Sequence, residues 1–182
     1  MRSYSHFLRK SIVVFLCLTL VSCGQASAKS SYVSSAAEFQ KALDDGDITQ
    51  ITIGNSIVGN FVIPRWIESI SGANSNVTIT QDKSDKPVFD AESSTKKNAV
   101  RAAELYLFWP AALIHAAFSP WTADTLTISN LTIEIYGSNS CGIDVNSLSK
   151  PVYIKDVKFV KKGHNTSAYR GGSNVQTSGC SF

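Results

Sequence analysis

Basic side chains are concentrated in the last part of the chain. Residues 150–182 contain six lysines and arginines against a single acid. Ammonium and guanidinium groups attract carboxylates, and an aromatic ring offers a flat apolar contact, so such a stretch suits an anionic polymer. The candidate ligand-binding residues are Tyr153, Lys155, Lys158 and Arg170. A second interpretation stays open, because exposed lysines also keep strands soluble by preventing edge-to-edge pairing.

Catalytic and metal-binding patterns are weak in this sequence. Glycoside hydrolysis needs two carboxylates that flank the bond, and calcium sites need clustered acids. The acids Asp82, Asp85 and Asp90 are loosely spaced with lysines between them, which is typical of a solvated turn. No Cys-x-x-Cys or Cys/His spacing points to zinc. We therefore predict no catalytic residue, no metal and no cofactor.

An octapeptide pattern shows which elements position these side chains. It occurs as "LTISNLTI" at 126–133, "VYIKDVKF" at 152–159 and "VQTSGCSF" at 175–182. Places 1, 3, 6 and 8 point inward, so each half alternates as a strand does and the phase resets at a bend between the halves. The fifth place holds Asn130, Asp156 and Gly179, which tolerate positive φ best. The pattern predicts a bend at these three residues, and outward positions for Tyr153 and the two lysines.

The spacing of the copies predicts the architecture. They begin at residues 126, 152 and 175, in steps of 26 and 23 residues. A strand unit that recurs at this interval buries its apolar edge only by stacking on its neighbours. We therefore predict an all-β parallel β-helix, a solenoid of about five coils.

A short helix is predicted to precede the first coil. In "SAAEFQKAL", Ser35 and Glu38 have the spacing of a capping box. The strand runs "ITQITIGNSIVGNFVIP" and "IESISGANSNVTIT" follow it. Such a helix covers the open end of the stack, where bare strand edges would favour aggregation.

The N-terminus has the composition of a targeting segment. Residues 1–22 have a basic start and an apolar run too short to span a bilayer, which predicts a signal peptide. Residues 20–23, "LVSC", match a bacterial lipobox with Cys23 as the lipid attachment site, and Ala26 and Ala28 offer an alternative A-x-A cleavage site. Residues 23–33 are then a tether, and residues 34–182 form the β-helix domain.

Cleavage changes the charge of the protein. Residues 1–22 contain three of the 17 basic residues and no acids, so 14 basic and 14 acidic residues remain. A net charge of zero gives no argument for nucleic acid. We expect a bacterial cell-envelope protein that is lipid-anchored, with the outer membrane as the expected membrane, or secreted.

Residues 92–121 interrupt the strand rhythm. The segment is apolar and aromatic from Leu105 onward and contains Trp109 and Trp121. We interpret it as an insertion packed against the side of the solenoid, and a sugar-stacking platform is the alternative.

These elements together resemble a known family. The helix, "ITQITIG", "IPRWIESISGA" and the later "GIDVNS" and "VYIKDVKF" are similar to the opening turns of right-handed β-helix proteins of the pectin-lyase-like superfamily. The resemblance covers most of residues 33–182, except for the insertion. It implies a right-handed solenoid, and a fold by itself does not define an activity.

One stretch is similar to a catalytic motif within that superfamily. Residues 139–145, "NSCGIDV", resemble the "NTDGIDV" of polygalacturonases. The first catalytic aspartate of that family would fall on Cys141, whose thiol cannot act as a carboxylate, and only Asp144 matches. The paired aspartate of the next coil is missing from "VKKGHNTSA" at 160–168. Cys141 and Cys180 remain after cleavage in an oxidising compartment, and whether they pair is left open.

The function predicted from the sequence is binding. We expect a non-catalytic envelope lipoprotein whose β-helix binds an anionic polysaccharide. A truncated or degenerate polysaccharide lyase or glycoside hydrolase is one alternative. An adhesin or docking fragment that self-associates through its last coil is another. Because the third copy ends at an inward place, Phe182, we also expect a chain truncated at its C-terminus.

Overall fold

Parallel strand pairing dominates the molecule. A computed structural model describes residues 28–83, 85–91 and 123–182. The predicted signal peptide, Cys23 and the insertion at 92–121 lie outside these ranges. The described residues form one helix, α1 (Ala36–Asp44), and twelve strands: β1 (Lys29–Val33), β2 (Ile48–Ile53), β3 (Ile57–Val58), β4 (Phe61–Ile63), β5 (Ser69–Gly72), β6 (Thr78–Thr80), β7 (Phe89–Ala91), β8 (Leu126–Ile135), β9 (Cys141–Asp144), β10 (Val152–Lys161), β11 (Ser167–Arg170) and β12 (Val175–Ser178). The protein is therefore strand-rich, as predicted for the all-β class.

The strands form two sheets that the chain visits in turn. The first has the order β1-β2-β5-β8-β10-β12; in addition, β6 pairs with the second half of β8, and β3 pairs with β6. The second has the order β4-β7-β9-β11. Every strand pair is parallel. Parallel neighbours cannot be joined by a tight hairpin, so each connection passes through the other sheet or a loop.

The core consists of columns of apolar side chains in register. One column in the first sheet is formed by Ile51, Ile70, Ile128 and Ile154. All four are at most 1% exposed. The second sheet has a matching column of Phe61, Phe89 and Ile143. Each such side chain contributes about 1.5–3 kcal/mol by leaving water, so the columns hold the strands in register.

The bends lie where the octapeptide predicts them. The φ angles of Asn130, Asp156 and Gly179 are 54°, 52° and 63°. Asn130 also donates a hydrogen bond from its side-chain Nδ2 to the carbonyl oxygen of Gly72 on the preceding strand, at 2.9 Å. The bend residues are thus stacked from strand to strand like the core columns.

Helix α1 begins at the predicted cap. The backbone N–H of Glu38 donates to Ser35 Oγ at 3.2 Å, and the Ser34 N–H donates to a carboxylate oxygen of Glu38 at 2.7 Å. The apolar face buries Phe39 and Leu43, and the Phe39 ring meets Phe61 edge-on with centroids 4.8 Å apart. This helix, the only one in the described ranges, is too short and too polar to cross a membrane.

The structure corrects one expectation at the start of the domain and qualifies another at its last residue. Residues 29–33 are not a free tether but strand β1, because their backbone pairs in parallel with β2 and buries Val33. Phe182 continues the inward column, because its ring stacks on the buried Phe159 with centroids 5.6 Å apart, but it is 62% exposed. In the part of the chain that the structure describes, β12 pairs with β10 alone, so its inward face is covered from one side only.

Candidate functional site

Three of the four candidate ligand-binding residues lie on the outer face of β10. We call Tyr153, Lys155 and Lys158 the β10 strip. Both lysines are exposed, and the Tyr153 ring is half-buried. Lys155 and Lys158 stand on opposite sides of the bend at Asp156, and the reset of the strand phase keeps both pointing outward. The Nζ of Lys155 lies 5.5 Å from the centre of the Tyr153 ring.

The neighbouring strands place neutral side chains beside the strip, and the acid nearest to its lysines in sequence is Asp156 at the bend. The register partners of Tyr153 and Lys155 are Thr127 and Ser129 on β8, and Gln176 and Ser178 on β12. No ion pair of either strip lysine is present within the described residues, where the two ion pairs found involve other cations. The strip therefore presents two lysines without an ion pair in the described residues, one of them beside an aromatic ring. Such a surface attracts carboxylates.

Arg170, the fourth candidate, does not belong to this surface. It lies on β11 in the second sheet, and its Nη1 is 3.7 Å from a carboxylate oxygen of Asp144. Its Nη2 also donates to the carbonyl oxygen of Asn139 at 2.6 Å. Since the guanidinium charge is balanced locally, we remove Arg170 from the binding surface.

A second aromatic and basic group was missed by the sequence analysis. It combines Lys162, Tyr136 and Glu134. Lys162 Nζ donates to the Tyr136 hydroxyl at 3.1 Å and lies 3.6 Å from Glu134. The hydrogen bond to Tyr136, with the charge of Glu134, raises the pKa of Lys162. Tyr136 and Lys162 are 26 residues apart, which is the first step of the octapeptide repeat, so that step was the signal for this pair.

Cys141 lies where the resemblance to polygalacturonases would place a catalytic aspartate. The residue is 1% exposed. Burial raises the pKa of its thiol to about 11, so the group stays protonated and neutral at physiological pH. Asp144, three residues on, is engaged by Arg170.

Cys141 and Cys180 are both free thiols. Cys141 lies in the second sheet, and Cys180 follows β12 in the first. Cys180 Sγ donates instead to the carbonyl oxygen of Ile154 at 3.3 Å. The two cysteines therefore belong to different sheets, and both thiols are free, which answers the question of pairing that the sequence left open.

A cavity of about 250 Å³ opens where the chain enters the first sheet. Its lining is mostly polar: Arg65, Ala123, Asp124, Ser147, Leu148, Ser149 and Lys150. The Nζ of Lys150 donates to the carbonyl oxygens of Arg65 and Ile67, at 2.9 and 3.0 Å. Burial, with the positive charge of Arg65, lowers the pKa of Lys150 to about 8.

The side chains that could bind a metal ion are scattered over the described part of the chain. Within residues 28–83, 85–91 and 123–182, no three His, Cys, Asp or Glu side chains lie close enough together to hold a metal ion.

Comparisons with protein family models, curated protein sequences and solved structures find no match to the chain.

Proposed function

We propose that this protein is a non-catalytic binding module of the bacterial cell envelope, and that its β10 strip holds an anionic polysaccharide. The observation that carries the proposal is the contrast among the basic groups. Lys162 and Arg170 are paired with acids, whereas the two strip lysines point into solvent beside Tyr153. An aromatic ring packs against the apolar face of a sugar, and nearby ammonium groups bind its carboxylates.

We also propose that the two sheets are walls of one right-handed parallel β-helix of the pectin-lyase-like superfamily. Three facts support this. The pairing of the described strands is parallel, successive strands alternate between the sheets from β7 to β12, and the apolar columns repeat from one level to the next. The hand follows from the strong preference of parallel connections for right-handed crossovers.

The location is proposed from the sequence. A lipobox ending at Cys23 would attach the chain to a membrane, and only a few residues separate that cysteine from β1. Strand β10 lies four strands away from β1 in the first sheet, so the anchored end and the strip would lie towards opposite ends of that sheet. Substitution Cys23→Ala should abolish incorporation of a labelled fatty acid into the chain. Equal labelling of the variant and the wild type, or no labelling of the wild type, would contradict the anchor.

The binding test is affinity electrophoresis in gels with polygalacturonate, with dextran as the neutral control polymer. The double variant Lys155→Ala/Lys158→Ala should bind polygalacturonate at least about tenfold more weakly, because two charge-assisted contacts are lost. The wild-type protein should bind less as salt rises, because exposed charges are screened.

The matched control removes two cations that are already paired. Lys162→Ala/Arg170→Ala changes the net charge by the same amount and should leave retention within about twofold. Equal losses in both double variants would show a response to net charge alone, and unchanged retention in the strip variant would remove the strip from binding. Either result overturns the proposal.

A further inference from the structure

The cavity beside Lys150 lies at the start of the strand that carries the β10 strip. Lys150 precedes Tyr153 by three residues, in the turn between β9 and β10. The opposite wall comes from Arg65, which follows β4, and from Asp124, which precedes β8. Three chain segments thus bring two cations and one acid to the same small space.

The two hydrogen bonds of the Lys150 ammonium group leave one of its N–H donors for a ligand. An ammonium group has three N–H donors, and two of those of Lys150 are held by the carbonyl oxygens of Arg65 and Ile67. These two contacts fix the position of the nitrogen and leave one donor. Ser149, an exposed residue of the lining, adds a hydroxyl.

The size and polarity of the cavity limit the ligand. Sites for drug-sized molecules measure about 300–1,000 Å³, so a cavity of about 250 Å³ suits a monosaccharide. Arg65 and Lys150 can bind a carboxylate between them, and the carboxylate of Asp124 can accept hydrogen bonds from sugar hydroxyls.

We propose that this cavity binds one terminal sugar-acid residue, with its carboxylate between Arg65 and Lys150. The choice of a sugar acid rests on the proposed function, because the cavity lies at the Tyr153 end of the β10 strip. A polysaccharide on the strip would place its last residue here, so the protein would recognise chain ends as well as chain charge.

The charges around Lys150 give this site a pH dependence. Arg65 disfavours the ammonium form, whereas Glu68 and Asp124 favour it. Glu68 is itself engaged, since its carboxylate accepts from the Thr49 hydroxyl at 3.3 Å. With the pKa of Lys150 lowered to about 8, the cation is present below that pH and lost above it. A bound anion stabilises the ammonium, so affinity should fall as pH rises beyond about 8.

The test is a ligand-observed NMR titration of the full chain with D-galacturonate or D-glucuronate, with D-galactose as the neutral probe. Arg65→Gln keeps the backbone carbonyl that Lys150 uses and removes the guanidinium charge. It should weaken sugar-acid binding about tenfold or more. Ser149→Ala, which touches neither backbone contact of Lys150, should weaken binding by a smaller factor.

The strip variant separates this proposal from the proposed function. Lys155→Ala/Lys158→Ala should lose polygalacturonate and still bind the monosaccharide as the wild type does. If the wild-type protein binds the monosaccharide but not the polymer, the cavity proposal is supported and the proposed binding by the strip is wrong. Equal binding of galacturonate and galactose, unchanged affinity in Arg65→Gln, or displacement by equimolar phosphate at the same affinity overturns the cavity proposal.

Discussion

The first two copies of the octapeptide differ from the third in their surroundings and not in their backbone. Strands β8 and β10 are in register over nine residue pairs, and their inward side chains are at most 4% exposed. Strand β12 keeps the same register with β10 and has the same bend at Gly179. Its inward places are nevertheless half-buried or exposed. A strand pattern therefore sets backbone direction and phase, but burial depends on having a neighbouring strand on both sides.

Side-chain truncation at the same inward place in two copies tests whether burial differs between them. Ile154→Ala removes a fully buried side chain from the middle of a column and should lower the free energy of unfolding by about 2–5 kcal/mol. Thr177→Ala, at the register partner of Ile154 in the third copy, should change it by no more than about 0.5 kcal/mol. Urea unfolding followed by circular dichroism measures both. Similar losses would mean that the third copy is buried as well as the second.

The thiols give a second contrast, in chemical reactivity. Cys180 occupies the sixth place of the third copy and is half-exposed, whereas Cys141 is buried. With its pKa raised from 9.0 to about 11, the Cys141 thiolate should be about a hundredfold scarcer at pH 8 than that of an ordinary thiol. Iodoacetamide labelling mapped by mass spectrometry should modify Cys180 in the native protein and Cys141 only in urea.

The same pKa shift predicts an effect of pH on folding. The folded-state pKa of Cys141 lies above the unfolded value, so its contribution to stability is complete below about pH 9 and is lost as pH rises through about 11. Rapid iodoacetamide labelling of Cys141 in the native protein at pH 8 would contradict the burial on which both predictions rest, because it would show that the second sheet opens to solvent.

The bend of the third copy depends on glycine. At Gly179 φ is 63°, and a Cβ there would overlap a carboxylate oxygen of Asp156. Gly179→Ala should cost about 1–2 kcal/mol from the left-handed backbone alone. Gly172→Ala is the matched control, because its Cβ would meet only Asn174 Oδ1, at 3.6 Å. Equal stability of the two variants, measured in urea, would show that the bend relaxes at no cost.

The smallest expected effect is a gain at the bend of the second copy. Asn130 donates from its side chain to the carbonyl of Gly72, but a carboxylate at position 156 has no proton with which to repeat that contact. Asp156→Asn should donate to the carbonyl of Asn130 and add about 0.5–1.5 kcal/mol of stability. Asp47→Asn, an exposed residue with the same loss of charge, should have no such effect. Destabilisation by Asp156→Asn would exclude a stacked amide ladder at the bends.

Much of the local structure was predictable from residue types. Ser35 and Glu38 predicted the start of α1, since a cap needs only residues of the same turn. Asn130, Asp156 and Gly179 predicted the bends, since few residues tolerate positive φ. The outward positions of the strip residues followed from strand alternation. All these features depend on contacts within a few residues.

Partner choice was harder to predict. The prediction from the basic residues of 150–182 gave Arg170 and Lys158 the same role. In the structure, Arg170 faces Asp144 in the second sheet, whereas Lys158 faces Thr132 in the first. The cavity at Lys150 needs segments from three places in the chain. Residues 29–33 have the composition of a linker and became a strand because β2 offers a free edge.

The division has a physical cause. Backbone preferences and side-chain alternation are properties of short segments, so the amino-acid sequence alone predicts the helix cap, the bends and the inward positions. Ion pairing, thiol burial and the shape of a cavity depend on which strands become neighbours. That choice is made by the packing of residues 20 to 60 positions apart, and here it separated the cations that are paired with acids from the two strip lysines.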